Sequence, residues 1–180
     1  MTAPGFALFD TSIGRCAIAW GARGIVSLQL PEADEDATRA RILRRFPEAR
    51  EGLPPPAAAQ AADEVRRLLE GEPRDLTAIT LDMTGVPDFH RRVYELARAV
   101  QPGETVTYGE VAARLGDPGL SRAVGQALGR NPFAIIVPCH RVLAVGGKSG
   151  GFSAAGGVAT KRRLLEIEGA RGLHPTLPGL

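Results

Sequence analysis

The stretch Asn131-Pro132-Phe133-Ala134-Ile135-Ile136-Val137-Pro138-Cys139-His140-Arg141-Val142 runs from a polar residue through an apolar, strand-like segment into a cysteine set between a proline and a histidine and followed by a cation. A free thiol has a pKa of about 8.5 and reacts as the thiolate, and a neighbouring His or Arg charge lowers that value, so this context favours a nucleophile. The same pattern also suits a core segment, because free cysteine is among the most buried residue types. On this stretch alone both readings stand.

Immediately upstream the spacing is helical. Thr107 and Glu110 have the separation of a capping box, predicting a helix over 108–115 that Gly116 closes. Asp117-Pro118 then reads as N-cap and first position of a further helix through Leu128, and helix, short turn, helix is a helix-turn-helix layout. The second of these helices contains Ser121-Arg122-Ala123-Val124-Gly125-Gln126-Ala127, whose small residues allow close approach to another surface or tight packing on a neighbouring helix, with Arg122 in its first half. Before it, Pro87 opens a helix with an apolar stripe of Phe89, Val93, Leu96 and Val100. Beyond Cys139, residues 145–157 form a Gly- and Ser-rich loop with Phe152 as its aromatic, plausible as a pocket wall. A last helix is predicted over 158–168, closed by Gly169, and residues 172–180 read as a flexible tail.

The N-terminal part has another character. Residues 6–30 read as three short strands with turns at 11–14 and 21–24, and alternation places Cys16, Ile18 and Trp20 on a buried face. Two helices follow, one with Ala40, Leu43 and Phe46 in its stripe, the other with Ala58, Ala61, Ala62, Val65, Leu68 and Leu69 on one side and Gly71 as its stop. Between them, three consecutive prolines at 54–56 hold an extended connector, and 76–83 reads as a further strand with Ile79 and Leu81 inward. These features predict an α/β domain over 1–84 and a mainly helical domain over 85–171.

Composition narrows the function classes. With two cysteines and three histidines in no paired spacing, a disulfide framework and a structural zinc site both lack ligands, so no metal is expected. No segment has the layout of a signal peptide or the roughly 18 apolar residues of a membrane span, which points to a cytoplasmic protein with no membrane partner. Residues 1–84 carry 10 basic and 13 acidic side chains and residues 85–180 carry 12 and 7, so the half holding Cys139 is cationic. Cationic surface suits a polyanion, although a few arginines also make an ordinary solvated face.

The segment Pro138-Cys139-His140-Arg141-Val142, with Asn131-Pro132 upstream, resembles the acceptor-cysteine signature of the O6-alkylguanine-DNA alkyltransferases, and the likeness extends over the whole layout. The resemblance implies a ribonuclease H-like roll in the N-terminal domain and a winged-helix-like C-terminal domain with the helix-turn-helix. It implies that Cys139 accepts the alkyl group, that His140 takes the thiol proton through a water, that Glu168 orients His140, and that Asn131 braces the turn. Tyr108 would lie beside a flipped guanine and Arg122 would fill the space it leaves, with Ser121, Ala123, Gly125 and Arg141 also toward DNA in the minor groove. Pro138, Val142, Phe152, Ser153 and Ala155 would line the pocket.

The implied activity is direct-reversal repair of double-stranded DNA. An alkyl group moves irreversibly from O6 of guanine to Cys139, once per molecule, by a monomer without cofactor; O4-alkylthymine as a substrate stays open. Many relatives carry Gly-Tyr-x-Gly-Gly before the last helix, whereas this chain has the longer Gly151-Phe152-Ser153-Ala154-Ala155-Gly156-Gly157, which leaves the range of alkyl groups open. A lesion-sensing module without chemistry is disfavoured by the joint presence of Cys139, His140 and Glu168. A cysteine hydrolase finds no supporting motif at His90 or His174.

Overall fold

A computed structural model describes residues 4–147 and 152–170. The tail expected at 172–180, His174, and positions 148–151 of the glycine-rich loop lie outside these residues. The chain divides into two units. One comprises Met1–Val86 together with Pro132–Ile136, the other Pro87–Asn131 with Val137–Leu180.

In the first unit, β1 (Gly5–Thr11), β2 (Gly14–Gly21) and β3 (Gly24–Gln29) form an antiparallel meander, as expected. Gly24 has φ 140°, and a Cβ there would lie 2.6 Å from the Thr80 carbonyl oxygen, so only glycine combines this turn with that contact. A two-residue strand, β4 (Arg50–Glu51), adds parallel to β1 and gives the order β3-β2-β1-β4. The expected alternation in β2 does not hold. Cys16, Ala17, Ile18 and Ala19 are all buried, while Trp20 is half-buried. The reason is that helices cover both faces: α1 (Glu35–Arg45) closes a core of Phe6, Ala17, Ala19, Ile42 and Ala49, and α2 (Pro56–Leu69) packs on all three strands of the meander. A strand buried on both sides reads as a continuous apolar run.

The stripe of α2 is the expected one, Ala58, Ala61, Ala62, Val65, Leu68 and Leu69. In α1 it is not: Thr38 and Ile42 face inward, Ala40 is exposed and Leu43 largely so. Thr38 is drawn in because its hydroxyl donates to the Asp34 carbonyl and accepts from the Glu32 amide, 3.1 and 3.0 Å. Residues 76–83 are not a strand. They pair with the sheet through an isolated bridge, Ile25–Leu81, because Asp75 and Asp82 each turn the chain by accepting a backbone N–H two residues on.

In the second unit, α3 (Asp88–Arg98) buries Val93, Tyr94 and Ala97, and the Tyr94 hydroxyl donates to the Ala127 carbonyl at 2.8 Å. The short β5 (Val106–Thr107) pairs parallel with β6 (Val142–Leu143). Helix α4 (Tyr108–Arg114) starts at the expected capping box, with both hydrogen bonds between Thr107 and Glu110 present. The helix expected to begin at Pro118 starts instead as a 3-10 turn, Pro118–Leu120, capped by Asp117, before α5 (Ser121–Gly129). The last helix, α6, spans Gly157–Ile167 with Glu168 at its C-cap.

Residues 131–137 are not the expected strand. Ile135 has φ 70°, and Ile136 N–H donates to the Ala134 carbonyl at 2.8 Å, which makes a strained γ-turn at a β-branched residue. A second, inverse γ-turn follows at Pro138 (φ −81°, ψ 66°), closed by Cys139 N–H on the Val137 carbonyl at 2.8 Å. Residues 132–136 instead satisfy their polar groups within the first unit, where Leu28 N–H and Ser27 Oγ both donate to the Pro132 carbonyl.

Candidate active site

Cys139 opens a 3-10 turn, Cys139–Arg141, between the inverse γ-turn and β6. That geometry needs Pro138, whose fixed φ matches the turn. Asn131 braces the loop from its other end by donating Nδ2–H to the Val137 carbonyl at 2.9 Å. The thiol is half-buried, and burial pushes its pKa up. Against that, the Asn131 side chain, the Lys161 charge and the backbone amides of Cys139 and His140 favour the thiolate.

Behind the thiol lies a buried polar cluster. His140 Nε2 is 2.8 Å from Glu168 Oε1, and Arg141 grips the same carboxylate with Nε on Oε2 at 2.9 Å and Nη2 on Oε1 at 2.8 Å. Burial would raise the Glu168 pKa, but His140 and Arg141 together hold it down at about 2, so Glu168 is an anion. Burial pushes His140 the other way, below its ordinary value, and outweighs the pull of Glu168, so the imidazole is neutral. The 2.8 Å contact is therefore a neutral N–H donating to a carboxylate, and the charge that pairs with Glu168 belongs to Arg141. A carboxylate only accepts, which assigns the proton to Nε2 and leaves a lone pair on Nδ1. That Nδ1 is buried and has no hydrogen-bond partner among the described residues.

In front of the thiol is a cleft of about 710 Å³ lined by Cys139, Tyr108, Ser121, Arg122, Gly125, Gln126, Leu128, Gly129, Phe152 and Ser153, all of the second unit. Ser153 Oγ donates to the Gly129 carbonyl at 3.1 Å, tying the Phe152 wall to the end of α5. Gly125 faces the Tyr108 ring, where a Cβ would lie 3.9 Å from the ring carbons. Arg122 is exposed at the cleft.

Several sequence-predicted residues sit elsewhere. Arg141, expected toward DNA, is buried: its Nη1 donates to the Val100 carbonyl at 2.6 Å and its other nitrogens hold Glu168, so the guanidinium has no face left for a phosphate. Pro138 and Val142 are buried under the thiol instead of lining the cleft, because one shapes the γ-turn and the other belongs to β6. Ala123 and Ala155 are half-buried and outside the lining; the Ala155 carbonyl accepts from Thr160 Oγ1 at 2.6 Å.

One residue of the site is absent from the sequence reading. Lys161 is 0% exposed. Its Nζ donates to the Val142 carbonyl at 2.7 Å and to Tyr108 Oη at 3.4 Å, and lies 5.6 Å from the centre of the Tyr108 ring. Burial lowers its pKa to about 8, opposed by the Cys139 charge. The available signal was its phase in α6: Lys161, Leu164, Leu165 and Glu168 share the i, i+3, i+4, i+7 face that packs inward. Among the described residues no three His, Cys, Asp or Glu side chains converge as a metal would require.

Residues 88–170 match the family model of the 6-O-methylguanine DNA methyltransferase DNA-binding domain. The chain is 37% identical over 163 residues to the methylated-DNA–protein-cysteine methyltransferase of Mycobacterium tuberculosis, covering 90% of both chains. It belongs to the methylated-DNA–protein-cysteine methyltransferase family. The family's Methanothermobacter thermautotrophicus member is 36% identical over 152 residues, covering 84% of this chain and 78% of that one. Among solved structures, Mycobacterium tuberculosis OGT in complex with DNA superposes with a TM-score of 0.73 at 33% identity, covering 94% of this chain and 97% of that one. The superposition extends over both units of the chain.

Proposed function

We propose that this protein repairs O6-alkylguanine in double-stranded DNA by moving the alkyl group onto Cys139. The observation that carries this reading is a single cleft in which the Cys139 thiol meets Arg122 of α5 and Tyr108 of α4, backed by a neutral His140 whose Nε2–H is committed to Glu168. With that proton committed, Nδ1 is the basic atom. It takes the thiol proton through a bridging water, and Glu168 and Arg141 keep the resulting imidazolium oriented and compensated.

The thiolate attacks the alkyl carbon in line with the C–O6 bond. The carbon–sulfur bond forms as the carbon–oxygen bond breaks, and the bonding pair passes to the base, which leaves as guanine once a ring nitrogen is protonated. Tyr108, whose hydroxyl accepts from Lys161, supplies the donor to the base in this reading. The base must first leave the stack, since O6 cannot meet a protein thiol inside a duplex, and Arg122, exposed on α5 at the cleft, occupies the gap. The product is a thioether, which ordinary reductants do not cleave, so each molecule acts once.

The finer fold reading follows from the same family: a ribonuclease H-like roll for the first unit, supported by its meander crossed by helices, and a winged helix-turn-helix for α4–α5. The same reading has the protein act as a cytoplasmic monomer without cofactor or metal. Incubation with a duplex carrying O6-methylguanine is expected to add one methyl group, on the peptide containing Cys139, with restoration of guanine in equal amount. Mass spectrometry showing an unmodified Cys139 peptide and an intact lesion would refute it.

A further inference from the structure

Helix α5 presents two long polar side chains to the cleft among otherwise small or apolar ones, Arg122 and Gln126, one turn apart on the same face. Gln126 is exposed, and among the described residues its carboxamide makes no hydrogen bond, in contrast to Asn131, whose amide is committed to the protein backbone. We infer that Gln126 is a specificity-determining residue that reads the base pair flanking the lesion from the minor-groove side; this rests on the reading of α5 as the helix that enters DNA with Arg122 as its wedge.

The chemistry is directional. A carboxamide offers one N–H donor set and one carbonyl acceptor side by side. In the minor groove every base pair shows acceptors, whereas only G·C adds a donor, the guanine N2 amine. Gln126 can thus donate to a purine N3 or pyrimidine O2 in any flanking pair, but uses both halves of its amide only on guanine. A helix turn separates Arg122 from Gln126, so when Arg122 occupies the vacated position, Gln126 falls beside a neighbouring pair and not the lesion itself. The residues around it, Gly125 and Gly129, leave the backbone close to the duplex and the amide within reach.

The test compares full-length wild type, Gln126→Ala and Gln126→Glu in single-turnover transfer. The substrates are duplexes with O6-methylguanine flanked by either G·C or A·T on each side, and the same oligonucleotide single-stranded. Wild type is expected to repair the duplex with a flanking G·C about fivefold faster than its A·T counterpart, a modest bidentate discrimination. Gln126→Ala should erase that difference while transferring from the single strand within about twofold of wild type. Gln126→Glu, which loses the donor and faces phosphates with a charge, should slow both duplexes. If the Ala variant keeps the wild-type flanking preference and duplex rates, Gln126 reads nothing and the inference fails while the repair reading stands. If wild type moves no methyl from any substrate, the repair reading fails and takes this inference with it. Gln126 lies on an exposed face, and coincident thermal melts of the three proteins check that the fold is unchanged.

Discussion

At the residue scale, reactivity of Cys139 is a balance between burial, which raises its pKa, and a set of donors and one cation that lower it. The adjacent pair Cys139-His140 was legible because contiguous residues need no fold to be neighbours. Lys161 was not. A lysine in a helix reads as solvated, and only packing of the α6 face put this amine under Tyr108 and beside the thiol. Lys161→Met keeps the volume and removes the charge. The thiol pKa should then rise further, so that the pH profile of Cys139 alkylation by iodoacetamide moves to higher pH and transfer slows by roughly tenfold, the scale of one well-placed charge. Removing the amine also takes the 2.7 Å donor from the buried Val142 carbonyl, so the melting temperature should fall by the equivalent of about 1–3 kcal/mol. An unshifted alkylation profile would remove Lys161 from the thiol's electrostatics.

At the element scale, the decisive piece is the pair of γ-turns between α5 and β6. The apolar run from Phe133 to Val137 reads as a strand, and composition alone supports that reading. What prevails is the geometry at Ile135 and Pro138: a β-branched residue held at φ 70° turns the chain where a strand would have continued. Strain of this kind persists only when surrounding structure over-determines it, and here the Asn131 amide on the Val137 carbonyl and the bonds to the Pro132 carbonyl supply that support. Asn131→Ala should therefore do two things. It should destabilise the fold by about 1 kcal/mol, the usual net worth of one hydrogen bond, since the Val137 carbonyl keeps the Cys139 N–H, and this is read as a lowered melting temperature. It should also slow transfer more than that loss explains, because the thiolate loses a donor. A normal rate with a lowered melt would confine Asn131 to structure. By contrast the caps were fully legible: the Thr107–Glu110 box and the Asp117 cap depend only on spacing.

At the scale of the whole molecule, the buried His140–Glu168–Arg141 cluster makes stability pH-dependent in one direction. His140 has a folded pKa below its ordinary 6.5, so the unfolded chain binds its proton more readily and the contribution, complete above pH 6.5, is lost on acidification. Glu168, held at about 2 against an ordinary 4.5, adds a contribution present above pH 4.5 and lost as pH falls toward 2. Urea midpoints should fall from about pH 6.5 downward, with a further loss on the order of 3 kcal/mol between the two Glu168 values. Midpoints independent of pH over that range would mean that neither group is buried as described.

The sequence by itself determined the two-part architecture, the strands and turns of residues 6–30, the apolar face of α2, the capping box that starts α4 and the reactive Cys139-His140 pair. These follow from periodicity, capping and adjacency, which act over a few residues. Tertiary structure decided the rest: the double-sided burial of β2, the inward turn of Arg141 onto Glu168, the burial of Lys161, and the γ-turned course of the stretch that reads as a strand. Each is a choice of which groups leave water and with which partner. That free energy belongs to contacts between residues far apart in the chain, and local pattern carries no record of it.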